Sequence, residues 1–241
     1  MTALTCAPLR YSDGETEFEG WWAAPEGLSG PVPGILMAPA YGGVGDQMKL
    51  NAERVAKTGR PVLLLDPYGI ESMADASIDP MQRMQGMVAA RDVLQRRLLA
   101  ALDALKARPE VDAAKTAVCG YCFGGLCALD LARAAPEGLL GAAALHGVLS
   151  PSGLEARKIS ASVLVLHGWD DPLALPDDVL ALAKELDAAE ADWQIHAYGG
   201  VVHAFTTPQA ATPGRAMYDP KADRRSFAAM TDFFAEVFGE V

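Results

Sequence analysis

The chain reads as an α/β domain, a mainly parallel central sheet with helices on both faces. Three observations lead there. Short continuous apolar runs, such as Val32–Ala38 and residues 62–65, have the look of strands buried on both sides. Amphipathic segments of helix length separate them, and connections of that length suit parallel neighbours. No repeat, low-complexity tract or linker interrupts the 241 residues, so 1–241 is expected to be a single domain.

The elements follow in order. Residues 4–11 and 17–23 are candidate strands separated by the turn signal Ser12-Asp13-Gly14. Val32–Ala38, bounded by Pro and Gly, is a buried strand. Residues 46–58 have helical spacing and stop at Gly59, a C-terminal cap signal. The strand 62–65 opens into an irregular stretch, 66–80. From 81 to 108 apolar residues recur at three and four, which predicts one long helix or two abutting ones. A strand at 116–119 runs into a helix, Phe123–Ala134. Strands follow at 141–145 and 162–166, then a helix, Pro176–Ala188, with Pro in its tolerated first turn. Trp193–Tyr198 is the last strand and 223–237 the last helix.

Composition narrows the function. Hydrophobic residues make up 51% and charged ones 21%, an ordinary globular balance. Twenty Lys+Arg against 31 Asp+Glu give a net charge of −11, which argues against nucleic acid or an anionic membrane as partner. No apolar stretch is long enough for a bilayer, and residues 1–10 lack the basic-then-apolar pattern of a signal peptide. The four cysteines lack the doubled CxxC or His spacing of a zinc site. Reduced thiols in the cytoplasm are the expectation.

The chemistry concentrates in Val118-Cys119-Gly120-Tyr121-Cys122-Phe123-Gly124-Gly125, where a predicted strand meets a predicted helix. Gly120-x-Cys122-x-Gly124 has nucleophile-elbow spacing, with Cys in place of Ser. Small residues two before and two after let strand and helix approach. The turn lifts the sulfur to a helix N-terminus, whose partial positive charge favours thiolate. Such a nucleophile needs an acid and then a His later in the chain. His167-Gly168-Trp169-Asp170-Asp171-Pro172 follows one apolar strand, and Gly199-Gly200-Val201-Val202-His203-Ala204-Phe205 follows the last. Both lie at the sheet edge where ligands collect. Backbone amides of Phe123 and of Tyr41, in Pro39-Ala40-Tyr41-Gly42-Gly43, are the candidate oxyanion donors.

Over nearly its whole length the chain resembles the dienelactone hydrolases of the α/β-hydrolase superfamily. The resemblance rests on Gly120-Tyr121-Cys122-Phe123-Gly124-Gly125, His167-Gly168-x-x-Asp171-Pro172, His203-Ala204-Phe205 and Tyr218-Asp219-x-x-Ala222-Asp223-Arg224-Arg225-Ser226. It implies an α/β-hydrolase fold and a Cys122, His203, Asp171 triad cleaving an ester or lactone through a thioester acyl-enzyme, with no metal or organic cofactor. Two departures bear on substrate. Founding members place a gating Glu where this chain has Ala40. They also use two arginines for a substrate carboxylate, of which Arg83 matches one and Thr207 replaces the other. One Arg instead of two forgoes about 1.5–3 kcal/mol of charge-assisted hydrogen bonding.

The expected substrate-binding residues are Arg83, Tyr121, Trp169 and Phe205, with Tyr41, Tyr68 and Phe123 as further aromatic candidates. Asp170 and Asp66 compete with Asp171 as the acid. Cys119 and Cys127 read as core, Cys6 has no assigned role, and His196 faces solvent. His167 orders the acidic turn, and His146, ending a strand, makes a structural hydrogen bond or lines the edge. The Gly42-Gly43-Val44-Gly45 stretch lacks the Lys-Ser/Thr of a phosphate loop. General small-ester or thioester hydrolysis stays open beside dienelactone, as does a non-catalytic redox or binding role for Cys122. A small-molecule ester or lactone is the expected partner, with monomer and homodimer both open.

Overall fold

In the computed structural model of the chain, residues 2–154 and 157–241 are described. In order they form β1 (Leu4–Ser12), β2 (Glu17–Pro25), β3 (Val32–Ala38), α1 (Asp46–Ala56), β4 (Val62–Leu64), α2 (Ile70–Ala74), α3 (Pro80–Ala89), α4 (Arg91–Lys106) and β5 (Val111–Tyr121). Then come α5 (Phe123–Ala134), β6 (Leu139–Leu145), β7 (Ser162–Gly168), α6 (Pro176–Ala188), β8 (Trp193–Tyr198), β9 (Ala211–Thr212), β10 (Ala216–Met217) and α7 (Pro220–Phe238). Eight strands make one sheet in the order β1-β2-β4-β3-β5-β6-β7-β8. β1–β2 and β2–β4 are antiparallel, and every other neighbouring pair is parallel.

Strand alternation distributes the core. Ile35, Met37, Val62, Leu64, Cys119, Leu164 and Leu166 point to one face, where α1 and α7 bury Val55, Met230, Phe233 and Phe234 against them. Leu36, Ala38, Leu63, Val118, Val163 and Val165 point to the other, under α4, α5 and α6. Because both faces are covered, the central strands β3, β4 and β6 are apolar in every register.

The structure refines several boundaries. The stretch 66–80 contains α2, and the segment 81–108 is two helices parted at Ala90, whose φ of −115° and ψ of 65° leave the helical region. β5 starts at Val111, earlier than residue 116, because Val111 pairs with Val32 before a register shift. α7 starts at Pro220, since the Asp219 carboxylate accepts the Lys221 and Ala222 amides. The β9–β10 pair, two residues a strand, was below what sequence periodicity resolves.

A buried ion cluster fixes α5, the helix after Cys122. Arg91 of α4 donates twice to Asp130 of α5, both at 2.7 Å. Arg133 donates to Asp130 at 2.9 Å and to Glu185 of α6 at 2.6 and 2.8 Å. Asp130 is fully buried, so its charge is compensated only while both arginines stay in place. Asp130→Ala therefore should destabilise the protein by about 3–5 kcal/mol in urea unfolding, because two guanidinium groups lose their buried partner.

Candidate active site

β5 ends at Tyr121, α5 begins at Phe123, and Cys122 between them has φ 57° and ψ −114°. A non-glycine residue there costs roughly 1–3 kcal/mol and needs support from its surroundings. That support is the backbone. Cys122 N–H donates to Leu145 O at 3.0 Å, and the Gly125 and Val148 amides donate to Cys122 O at 2.9 and 3.3 Å. Two glycines permit the turn. A Cβ on Gly120 would lie 1.8 Å from Gly124 O, and one on Gly124 would lie 2.1 Å from Ala38 O. Helix α5 thus starts in contact with the ends of both β5 and β3. Cys122 is partly exposed while Tyr121 and Phe123 on either side are buried.

Asp171 and His203 arrive from neighbouring loops. The turn after β7 is knitted to the loop after β8, Trp169 N–H donating to Tyr198 O and Asp170 N–H to Val201 O, each at 3.0 Å. This brings the His203 Nδ1–H onto Asp171 Oδ2 at 2.7 Å, while Asp171 Oδ1 accepts the Leu173 amide at 2.8 Å. Both side chains are buried. On the far side, Met217 N–H donates to His203 O at 3.0 Å, so β10 braces the loop. His203 Nε2 is buried without a formed hydrogen bond, and Cys122 is the group whose charge and thiol act on that ring beside Asp171. Burial alone would favour neutral imidazole, but Asp171 and Cys122 outweigh it and carry the pKa up to about 9.

Tyr68 contacts both residues whose amides the sequence marks as candidate oxyanion donors. Its hydroxyl donates to Tyr41 O at 2.8 Å, and its ring stacks on Phe123 with centroids 6.0 Å apart and an 8° interplanar angle. Tyr68 therefore ties the loop after β3 to the first residue of α5. The sequence offered it only as a pocket aromatic.

Other expected site residues divide. Trp169 is 47% exposed, and Tyr41 is exposed as well. Arg83, half-buried on α3, donates to Asp75 O and lies within electrostatic range of Tyr68. Tyr121 and Phe205 are corrected as ligand contacts. Tyr121 points into the core beneath α1 and α7, because strand alternation sends it to the face opposite Gly120, and Phe205 packs against Val201 and Ala222 with no exposed surface. The Phe123 ring is likewise buried. The rival acids are elsewhere engaged, Asp66 accepting the Tyr68 and Gly69 amides while Asp170 faces solvent. Cys119 and Cys127 are fully buried, and desolvation pushes the Cys119 thiol up to about 12. Instead of ordering the acidic turn through hydrogen bonds, His167 is buried with neither ring nitrogen partnered, and its ring lies edge-on to Trp169. His196 shares a 3.1 Å hydrogen bond with Gln194 at the surface.

Residues 18–238 match the model of the dienelactone hydrolase family. The chain belongs to that family. It is similar to an uncharacterised protein of Caenorhabditis elegans, 37% identical over 149 residues that cover 60% of this chain and 94% of the relative. Among solved structures it is similar to the dienelactone hydrolase-like promiscuous phosphotriesterase P91 from metagenomic libraries, at 39% identity and a TM-score of 0.89 over 98% of this chain and 99% of that one. The dienelactone hydrolase of Anabaena variabilis shares the fold at 21% identity, with a TM-score of 0.71 over 97% of this chain and 98% of that one. The architecture is the α/β-hydrolase fold, and family membership makes this chain a hydrolase acting on a lactone or ester.

The raised pKa of His203 has a sign that can be checked. Protonated His203 adds stability that is complete below the ordinary imidazole pKa near 6.5 and fades as pH climbs through about 9. In a proton NMR titration the His203 resonance should move near pH 9, and Asp171→Asn should bring that midpoint down. A wild-type midpoint at or below 6.5 would contradict the pairing.

Proposed function

We propose that Cys122, His203 and Asp171 act as nucleophile, base and orienting acid in the hydrolysis of a carboxylic ester or lactone through a thioester acyl-enzyme. The observation that carries this reading is the convergence of three loops at one sheet edge. A strained, partly exposed cysteine meets a buried imidazole whose other nitrogen is 2.7 Å from a buried carboxylate. The proton on His203 leaves Cys122 as thiolate, which adds to the carbonyl carbon. The carbonyl oxygen becomes an oxyanion received by the Tyr41 and Phe123 amides, each worth about 3 kcal/mol in comparable sites. Collapse breaks the ester C–O bond, and the departing alkoxide takes the His203 proton. His203 then removes a proton from water, whose hydroxide attacks the thioester. The acid is released and the Cys–His pair is restored. With a lactone, the alcohol stays tethered and the product is one hydroxy acid.

The whole chain serves as one catalytic unit in this reading, and Arg83 is the cation offered to substrate. With Ala40 and Thr207 in place of a Glu and a second Arg, small esters and lactones with at most one carboxylate fit better than a strictly dienelactone-specific site. The four free cysteines suit a cytoplasmic setting, and among the described residues no helix is long and apolar enough to cross a membrane. Phosphotriester hydrolysis is a second reading, favoured by the 39% identity with P91 over nearly the full chain.

Hydrolysis of p-nitrophenyl acetate at pH 7 to 8 tests the triad. Wild type is expected to show a burst and a steady rate, both absent in Cys122→Ala, and Cys122→Ser should lose most activity because a hydroxyl needs stronger base assistance. Turnover that survives Cys122→Ala would overturn the assignment. Assaying the same pair on paraoxon decides the second reading. Tyr68→Phe removes the hydroxyl that holds the Tyr41 carbonyl, so kcat should fall about tenfold while the thermal midpoint changes little.

A further inference from the structure

We propose that His146, through its bond to Thr206, is a positioning residue that holds His203 against Cys122. The inference rests on the triad reading and deepens it. Five non-glycine residues among those described have positive φ. Ala135 and Glu190 follow the ends of α5 and α6, where such a backbone is commonplace. The other three, Cys122 (57°), His146 (37°) and Ala204 (58°), gather at the candidate site. Cys122 is strained by the elbow and Ala204 adjoins His203. His146 has no such neighbour in sequence, so its strain needs a reason of its own.

Its contacts supply one. The His146 ring is buried just past the end of β6, where its Nε2 shares a 2.8 Å hydrogen bond with Thr206 Oγ1, itself buried three residues after His203. The ring packs edge-on against His203, with centroids 5.1 Å apart at 69°, and against Phe205 at 5.0 Å and 83°. Its Nδ1 meets no partner outside its own residue. Main-chain bonds extend the same strut. His146 N–H donates to Leu166 O at 2.8 Å, and the residues on either side of it, Leu145 and Val148 (across Gly147), bond the Cys122 amide and carbonyl. The end of β6 therefore grips Cys122 by its backbone and the His203 loop by a side chain, which fixes the distance between them.

The ring's ionisable neighbours are Tyr121 from β5 and His203 from the loop after β8. Burial, and then the His203 charge, push the His146 pKa well below its ordinary value. His146 thus stays neutral beside a protonated His203 and brings no competing cation to the pair.

Thr206→Val and Thr206→Ser separate positioning from packing, because Ser keeps the hydroxyl and Val keeps the volume. His146→Gln, which retains a polar atom near Nε2, and His146→Leu form a second pair. Two readouts are taken on folded protein, kcat and KM on p-nitrophenyl acetate and the pH profile of iodoacetamide alkylation, with Cys122→Ala marking the background from other thiols. Thr206→Val should lower kcat about tenfold with little change in KM, and change the pH profile of alkylation from that of wild type as His203 drifts from the sulfur. Thr206→Ser should stay close to wild type, and His146→Gln should retain more than His146→Leu. A lower thermal midpoint for Thr206→Val with wild-type kcat and alkylation profile would reduce the bond to a packing contact and overturn the proposal. Ester turnover surviving in Cys122→Ala would sink the triad itself, and the alkylation profile of Thr206→Val would still report whether His146 and Thr206 set the Cys122–His203 distance.

Discussion

The site depends on how closely α5 can leave β5. Hydrogen is the only substituent at Gly120 that clears the Gly124 carbonyl, and the only one at Gly124 that clears Ala38. Without those two clearances the helix would stand off from the sheet and Cys122 would adopt ordinary extended geometry. With them, one turn places a sulfur at a helix N-terminus, sets the Phe123 amide beside it, and draws in the loop that follows β3. The backbone strain at Cys122 is offset by hydrogen bonds from the end of β6, the loop after it and the first turn of α5.

Charge is handled in two different ways around that turn. Beneath α5, Asp130 is matched by two arginines, and its work is mechanical, fastening the helix to its neighbours. At the sheet edge, Asp171 spends one oxygen on a backbone amide and the other on His203. That arrangement keeps the carboxylate aimed and lets a buried imidazole hold a proton. Both carboxylates are desolvated, yet only the second faces a group that can pass its proton on.

Much of this was legible in the sequence because it is local. The apolar runs marked the strands, and GxCxG, Asp171-Pro172 and His203-Ala204-Phe205 each fall at the end of one. The illegible parts depend on contacts between distant segments. Tyr121 and Phe205 sit beside site residues in sequence, but strand alternation and loop packing turn them inward. Tyr68 drew notice as an aromatic, though its role comes from being stacked on the first residue of α5 while bonded to the loop after β3. His146 was readable as a strand-end histidine at the right edge. What separates it from an ordinary core histidine is its partner sixty residues away, which no spacing rule supplies.

Neither α2 nor α3 contributes a buried residue, although Met73, Met84 and Met87 rest against the core and Arg83 reaches toward Tyr68. The solvent-facing positions between these contacts tolerate replacement, since surface substitutions typically change stability by only about half a kcal/mol either way. The stretch from 70 to 89 can therefore accumulate changes in charge and bulk while the elbow and the sheet stay as they are. Lineages that share this scaffold would be expected to diverge first along that stretch, and only later at the turn and the strands that hold it.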